Sequence, residues 1–473
     1  ITSTAGLRQL PDHLSARTAL DRRSVLRICA VVVPILIAVI VWPRYLLPVL
    51  ATILVAMHLA TTLDRHWLMV RGLRYRSAVN ISDDDALAVP DFELPVYTVL
   101  LPVYQEPSIV SDLINGVGNL EYPKDKLEIL LLLEEDDIAT QRAVIGLKME
   151  SVRTVVVPDS LPKTKPKACN YGMSLPDLRG EFVTIYDAED IPDPLQLRRA
   201  VVAFSRVDRD VGCFQARLGY YNENQNLLTR WFSLEYAQWF GLVLPAVEAA
   251  GCVVPLGGTS NHMRTSVWQE IGGWDEFNVT EDADLGVRLA RHGFRTQILE
   301  STTLEEANSD VINWIRQRSR WYKGYIQTMA VALRNPRELV NEIGLKQTLR
   351  LIGLTGAVPF ASAFNLVLSL ILLIWVGSQA NFIALLFPPV TYYVCLAMFL
   401  VGAPASIYLG LISAHALGKE HLWWAVLLSP IYWLLQSVAA LKALYQFVFR
   451  PFYWEKTVHG LSTGQTTEPR RAQ

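Results

Sequence analysis

Two blocks of apolar residues flank a more polar centre in this sequence, and no ordinary soluble domain accommodates that arrangement. A helix that crosses a bilayer needs about 20 predominantly apolar residues. Ile28–Trp42 and Tyr45–Leu63 supply two such runs, parted by Pro43 and Arg44, which reads as a tight transmembrane hairpin or as a buried hairpin of a soluble protein. Beyond residue 345 the apolar signal returns at Ala357–Val376, Phe382–Val401, Ala405–Leu417 and Leu422–Phe449. Ala405–Leu417 is short for a crossing, so the count is six helices or five. With 51% hydrophobic and 19% charged residues, the whole chain is too apolar for a typical soluble enzyme.

Arg8, Arg17, Arg22, Arg23 and Arg27 precede the first run, and Arg71, Arg74 and Arg76 follow the hairpin. Basic residues gather on the cytoplasmic side of membrane helices. Both flanks, and with them the central domain, are therefore expected in the cytoplasm of a multi-pass inner (plasma) membrane protein. An even number of later crossings would return Arg450, Lys456, Arg470 and Arg471 to the same side. No small-residue cleavage site ends the first apolar run, so no cleavable leader is expected. The chain divides into a cytoplasmic segment (1–27), a hairpin (28–63), a catalytic domain (64–308), amphipathic interface helices (309–345), about four membrane helices (346–449) and an interfacial or disordered tail (450–473). A net charge of −2 argues against a nucleic-acid binder, which carries a basic patch or stripe. The five cysteines show no C-x-x-C spacing and are expected to be free thiols.

Between about 95 and 305, short β-branched runs alternate with helical patterns, which predicts a parallel sheet with crossover helices. Val96–Pro102, Leu127–Leu133, Val152–Val157 and Phe182–Tyr186 read as buried strands, and Ser108–Leu120 as a helix. Ligands of such sheets bind beyond the carboxyl ends of the strands. Those ends carry Tyr104-Gln105-Glu106, Glu134-Glu135-Asp136-Asp137 and Asp187-Ala188-Glu189-Asp190.

Four groups of residues carry chemistry or a plainer role. Asp187 and Glu189 have the spacing to share a hard cation with substrate phosphates, or they form an acidic turn. Thr280-Glu281-Asp282 offers a general base, or a helix start with Thr280 as its cap. Gln317-Arg318-Ser319-Arg320-Trp321 offers a guanidinium for a diphosphate and an indole for a sugar, or a basic helix lying on a membrane. Lys163, Lys165 and Lys167 could neutralise a nucleotide diphosphate, or stand in a solvated loop.

Taken in order, Tyr104-Gln105-Glu106, Lys167-Ala168-Cys169-Asn170, Asp187-Ala188-Glu189, Thr280-Glu281-Asp282 and Gln317-x-x-Arg320-Trp321 resemble the processive family 2 glycosyltransferases. That group contains cellulose and hyaluronan synthases, and the motif style is closest to the bacteriophage-adsorption-protein-B branch of exopolysaccharide synthases. The resemblance implies an α/β GT-A-like cytoplasmic glycosyltransferase domain inserted between transmembrane α-helices. It implies that Tyr104 and Glu106, with Glu134 or Glu135, hold uridine, and that Lys167 and Asn170 contact the nucleotide-sugar. Asp187 and Glu189 would bind Mg2+ or Mn2+ with the diphosphate, with Asp190 as a substitute for Glu189. Asp282, with Glu281 beside it, would be the catalytic base. Gln317, Arg320 and Trp321 would close over the diphosphate, and Gly258, Thr259 and Trp321 would meet the acceptor. Three residues depart from the family pattern: Glu189 for Asp, Glu134-Glu135 for Asp-Asp, and Cys169 for Gly.

The implied function is inverting, processive polymerisation from a UDP-sugar donor. A growing β-linked exopolysaccharide would be the acceptor, passing through the protein's own helices and on to an accessory export subunit. Trp375, Trp423, Trp424 and Trp433 would line that passage or sit in interfacial belts. The alternative is non-processive transfer to a lipid-linked polyprenyl phosphate acceptor.

Overall fold

A computed structural model describes residues 10–18, 21–75, 78–108, 110–145, 152–378, 381–450, 453 and 455. Of the expected terminal segments, Arg8, Lys456, Arg470 and Arg471 lie outside the described residues, as does Arg76. The centre is an eight-stranded mixed sheet. Its strands are β1 (Tyr97–Val103), β2 (Leu127–Glu134), β3 (Val152–Val157), β4 (Phe182–Ile185), β5 (Ile191–Pro192), β6 (Val211–Tyr220), β7 (Asn261–Arg264) and β8 (Arg295–Glu305). Their order is β3-β2-β1-β4-β7-β6-β8-β5.

The parallel sheet expected from the apolar runs is present in β3-β2-β1-β4. Beyond β4 the sheet departs from expectation, because β7 runs antiparallel to both β4 and β6. Its residues Asn261 and His262 are buried polar groups and carry no apolar alternation. The Asn261 amide donates to Gly257 O at 2.5 Å, and His262 Nδ1 lies 2.7 Å from the Tyr97 hydroxyl. Side chains alternate across β1, so Val99, Leu101 and Val103 join one core layer and Leu100 the other.

Four helices among the described residues are long and apolar enough to cross a membrane: Arg22–Val41, Pro43–Arg74, Pro336–Trp375 and Pro389–Ala416. The first two form the expected hairpin, with Pro43 opening the second helix. Phe382–Val401 and Ala405–Leu417 do not make two crossings. One 28-residue helix, Pro389–Ala416, takes most of both, with a π-turn over Met398–Gly402 absorbing Pro404.

The run Leu422–Phe449 also differs from a simple crossing, since it bends by 67° between Glu420–Leu427 and Ser429–Phe449. Near its start, the Tyr432 hydroxyl and the Gln436 amide donate to Glu235 at 2.5 and 3.2 Å. Towards its end, Lys442 and Gln446 donate to Glu455 at 2.8 and 3.0 Å. Glu235 and Glu455 in turn pair with Arg318 and Arg316 of the helix Val311–Ala332. Both ends of Ser429–Phe449 are therefore tied to that one helix, and the bent pair passes as a broken span or a re-entrant loop. Hydropathy registers the Leu, Val and Ala of this segment and misses its polar stripe.

Candidate active site

The acidic strand ends converge where the topology reverses, between β1 and β4, and a cavity of about 2330 Å³ opens there. Tyr104 and Glu106 follow β1, Glu134 ends β2, and Asp187 and Glu189 follow β4; all five line the cavity. Gly258 and Thr259 line it from the loop before β7. Glu281 and Asp282 enter from the first turn of the helix Glu281–Arg291. Gln317, Arg320 and Trp321 enter from the helix Val311–Ala332.

Asp282 is held by its own backbone turn, its Oδ1 accepting from the Ala283 N–H at 2.7 Å. Its Oδ2 lies against Gly258, where an added Cβ would stand 3.5 Å away. Burial raises the Asp282 carboxyl above its ordinary range, against the pull of nearby N–H groups and Lys165. Burial and the neighbouring Asp282 raise Glu281 as well. Glu281 is buried and Asp282 partly so, and each of two adjacent carboxyls in such a place disfavours ionisation of the other. Thr280 stands at the N-cap position as expected, but its hydroxyl makes no capping bond. It lies 3.5 Å from the Thr328 hydroxyl instead.

Lys165 is the residue the sequence reading undervalued. Its ammonium donates to Asp187 Oδ1 and, at 2.7 Å, to Gly258 O. Burial pulls its pKa down, but Asp187 and Glu281 more than reverse this and leave it raised. Lys167 and Asn170 are placed elsewhere and do not line the cavity. Lys167 is buried against Glu134 at 2.7 Å. Asn170 exchanges two hydrogen bonds with the Trp274 backbone, at 2.9 and 3.0 Å. The signal that separates them is helical phase. In the helix Lys165–Met173, Lys165 and Ala168 are three apart on the cavity face, while Lys167 points to another side.

Glu135 also lies off the cavity, accepting from the Asp159 N–H at 2.9 Å. Asp190 is buried beneath it, accepting from the Thr259 hydroxyl and, at 2.7 Å, from the Asp187 N–H. Of the two candidates for a second carboxylate, Glu189 lines the cavity and Asp190 does not. Glu305, at the end of β8, adds a further carboxyl to the lining, raised by burial and by Asp190, Glu189 and Asp187.

Beside Trp321, Arg318 is buried in an aromatic cage, its guanidinium carbon 4.7 Å from the Trp321 ring and 5.3 Å from those of Phe232 and Trp314. The cavity continues past Trp321 along Ser362, Asn365 and Ser369 to Trp375, Tyr392 and Trp433.

Comparison with known proteins agrees with this geometry. Residues 182–453 match the profile of the family described as Glycosyl transferase family group 2. The probable glycosyltransferase YdaM of Bacillus subtilis (strain 168) is 26% identical over 236 residues, covering 49% of this chain and 56% of that protein. A probable glucomannan 4-beta-mannosyltransferase 7 of Oryza sativa subsp. japonica is 28% identical over 49% of this chain and 41% of its own length. The beta-monoglucosyldiacylglycerol synthase of Trichormus variabilis is 27% identical over 50% of each. The chain thus spans about half the length of the curated relatives it matches. Among solved structures, the mannosyltransferase PcManGT of Pyrobaculum calidifontis, in complex with GDP-Man and Mn2+, superposes with a TM-score of 0.52 at 19% identity. That match covers 82% of this chain and 99% of PcManGT, and it establishes a GT-A-like α/β fold.

Proposed function

We propose that this chain, which belongs to glycosyl transferase family group 2, transfers a hexosyl unit from a nucleoside-diphosphate sugar, a UDP-sugar by preference, to a hydroxyl acceptor. The observation that carries this reading is one cavity holding Asp282, Lys165, Asp187, Arg320 and Trp321 together. Asp282 accepts the acceptor's hydroxyl proton as that oxygen attacks the anomeric carbon from the face opposite the departing diphosphate. The bond from C1 to the phosphate oxygen breaks, and configuration inverts. Glu281 retains a proton, which leaves Asp282 free to act as base. Lys165 and Arg320 meet the charge that develops on the leaving diphosphate. Trp321 offers a flat face to the acceptor sugar.

Asp187 and Glu189 fit a divalent cation, Mg2+ or Mn2+. They are hard oxygen donors at the cavity wall, and among the described residues no trio of ligands forms a closed site. Mg2+ takes one or two carboxylates and completes its shell with substrate phosphates. Such an ion would supply Lewis-acid neutralisation of the diphosphate.

The acceptor in this reading is a growing polysaccharide, and the continuation of the cavity among the membrane helices supports it. One observation favours the second reading, transfer to a lipid-linked acceptor. Tyr393, Phe399, Leu400 and Val401 line the far end of the cavity while 60–66% exposed, which opens it onto the apolar outside of the bundle. Four helices long and apolar enough to cross a membrane support reading the chain as a multi-pass membrane protein, and the basic residues that flank the first two support a cytoplasmic catalytic domain.

The test is to incubate the detergent-solubilised protein with labelled UDP- and GDP-sugars and Mg2+ or Mn2+, sizing the products. Metal-dependent polymer from one donor supports processive synthesis, and label confined to lipid extract supports the second reading. No transfer from any donor would sink the proposal.

A further inference from the structure

The residues that precede the first membrane helix do not trail into solvent. Ser15 and Ala16 are 5% and 0% exposed, packed over the loop that leads into Glu281-Asp282. The Ser15 hydroxyl donates to Asp275 Oδ1 at 2.8 Å, and the Ala16 N–H to Asp275 Oδ2 at 2.6 Å. Asp275 is itself 1% exposed, and inside its own loop its carboxylate accepts from the Phe277 N–H at 3.2 Å. Arg17 lies over the Phe277 ring at 5.6 Å. The same segment reaches the far end of the helix that carries Arg320. Arg334 donates to Asp12 O at 2.7 Å, to Ser15 O at 2.9 Å and to Thr18 O.

From Asp275 the hold passes to the catalytic pair in two short steps. The Asn278 N–H donates to the Asp275 carbonyl at 3.2 Å, and the Asn278 amide donates to the Thr328 hydroxyl at 3.1 Å. Asn278 Oδ1 then receives the Thr280 N–H at 3.1 Å, directly before Glu281 and Asp282. The loop is therefore bracketed by residues 10–18 on one side and by Thr328 on the other.

We propose that residues 10–18 form a positioning strap, in which Ser15 and Ala16 hold Asp275 so that Asp282 and Arg320 face each other across the cavity at working distance. This rests on the transferase reading above for its kinetic consequence, though the strap itself is a property of the fold. A buried carboxylate deprived of its donors is strongly destabilising to its surroundings, so loss of the strap moves the loop. A displacement of about 1 Å at a reacting group costs on the order of 100-fold in rate.

The experiment uses the full chain in detergent, with the double variant Ser15→Ala, Ala16→Asp and the conservative variant Ser15→Thr. The double variant sets a second carboxylate against Asp275. It should lower kcat by about 10- to 100-fold while the donor KM stays within about 2-fold. Ser15→Thr, which keeps the hydroxyl, should retain parental kcat. Amide hydrogen exchange over 276–285 should quicken in the double variant alone. Parental kcat in the double variant, a rise in KM with kcat unchanged, or unchanged exchange over 276–285 would each overturn the strap. Should the parent transfer no sugar at all, the transferase reading fails by itself. Exchange over 276–285 then decides the strap, faster supporting it and unchanged overturning it.

Discussion

Gly324 lies against Thr280 so closely that a β-carbon built on it would stand 2.3 Å from the threonine Cγ2. The glycine lets the helix bearing Gln317, Arg320 and Trp321 settle directly onto the residue before Glu281-Asp282. The two halves of the proposed site, Glu281-Asp282 on one side and Gln317, Arg320 and Trp321 on the other, meet through this contact. Gly324→Ala must push them apart. Overpacking of this kind costs about 1–3 kcal/mol. We predict a drop in kcat of at least about 10-fold together with a lower Tm, read by steady-state kinetics and thermal unfolding. Parental kcat in this variant would show that the contact does not set the site.

Asp282→Asn removes the base and keeps the shape. Positioned general bases contribute about 100- to 10,000-fold, so transfer should fall by that order. Binding of nucleoside diphosphate, followed by calorimetry, should change little. Near-normal turnover would assign the base elsewhere.

The raised carboxyls of Glu281 and Asp282 set the sign of the pH response. A base must be unprotonated to act, and a raised pKa means that it takes up its proton at a higher pH. Activity should therefore fall on the acid side at a pH above the ordinary aspartate value of about 4. A kcat/KM profile that stays flat down to about pH 4 would contradict this arrangement.

Two neighbouring lysines should respond differently. Lys165→Met takes the cation from between Asp187 and Gly258, and should lower turnover with modest effect on folding. Lys167→Met strands the buried Glu134 carboxylate, whose pair is only 4–5% exposed. Breaking a buried pair by removing one partner costs about 3–5 kcal/mol. Its effect should appear first as a lower Tm. The reverse pattern, stability lost with Lys165→Met and activity lost with Lys167→Met, would return the nucleotide-sugar contact to Lys167.

The sequence made β1, β2 and β4 legible because each is a run of buried apolar residues stopped by polar ones, and acids crowding three strand ends are hard to mistake; β3, expected to be buried, is instead the edge strand, with Arg153, Thr154 and Val156 exposed. The sequence hid β7, where Asn261 and His262 are buried through hydrogen bonds and carry no hydrophobic signal. It placed Lys167 and Asn170 at the nucleotide-sugar from a motif, whereas the turn of a nine-residue helix brings Lys165 to the cavity. Leu422–Phe449 keeps the hydropathy of a crossing because Tyr432, Gln436, Lys442 and Gln446 are too few to lower its average, and its 67° bend leaves no mark in the apolar run.

The helix Val311–Ala332 is gripped just past its carboxyl end and at its middle by opposite extremes of the described chain. Arg334, just beyond it, takes carbonyls from residues 12–18, while Lys323 and Arg320 donate to the carbonyls of Tyr453 and Glu455. During synthesis the first grip is available as soon as the helix emerges, but the second waits for more than a hundred further residues. Since chains are made from the amino end, the catalytic domain can fold long before Arg320 receives its last partner. A ribosome-bound chain stopped before residue 453 would lack the Lys323–Tyr453 and Arg320–Glu455 bonds, so this second grip is added only after all the long apolar helices have been made.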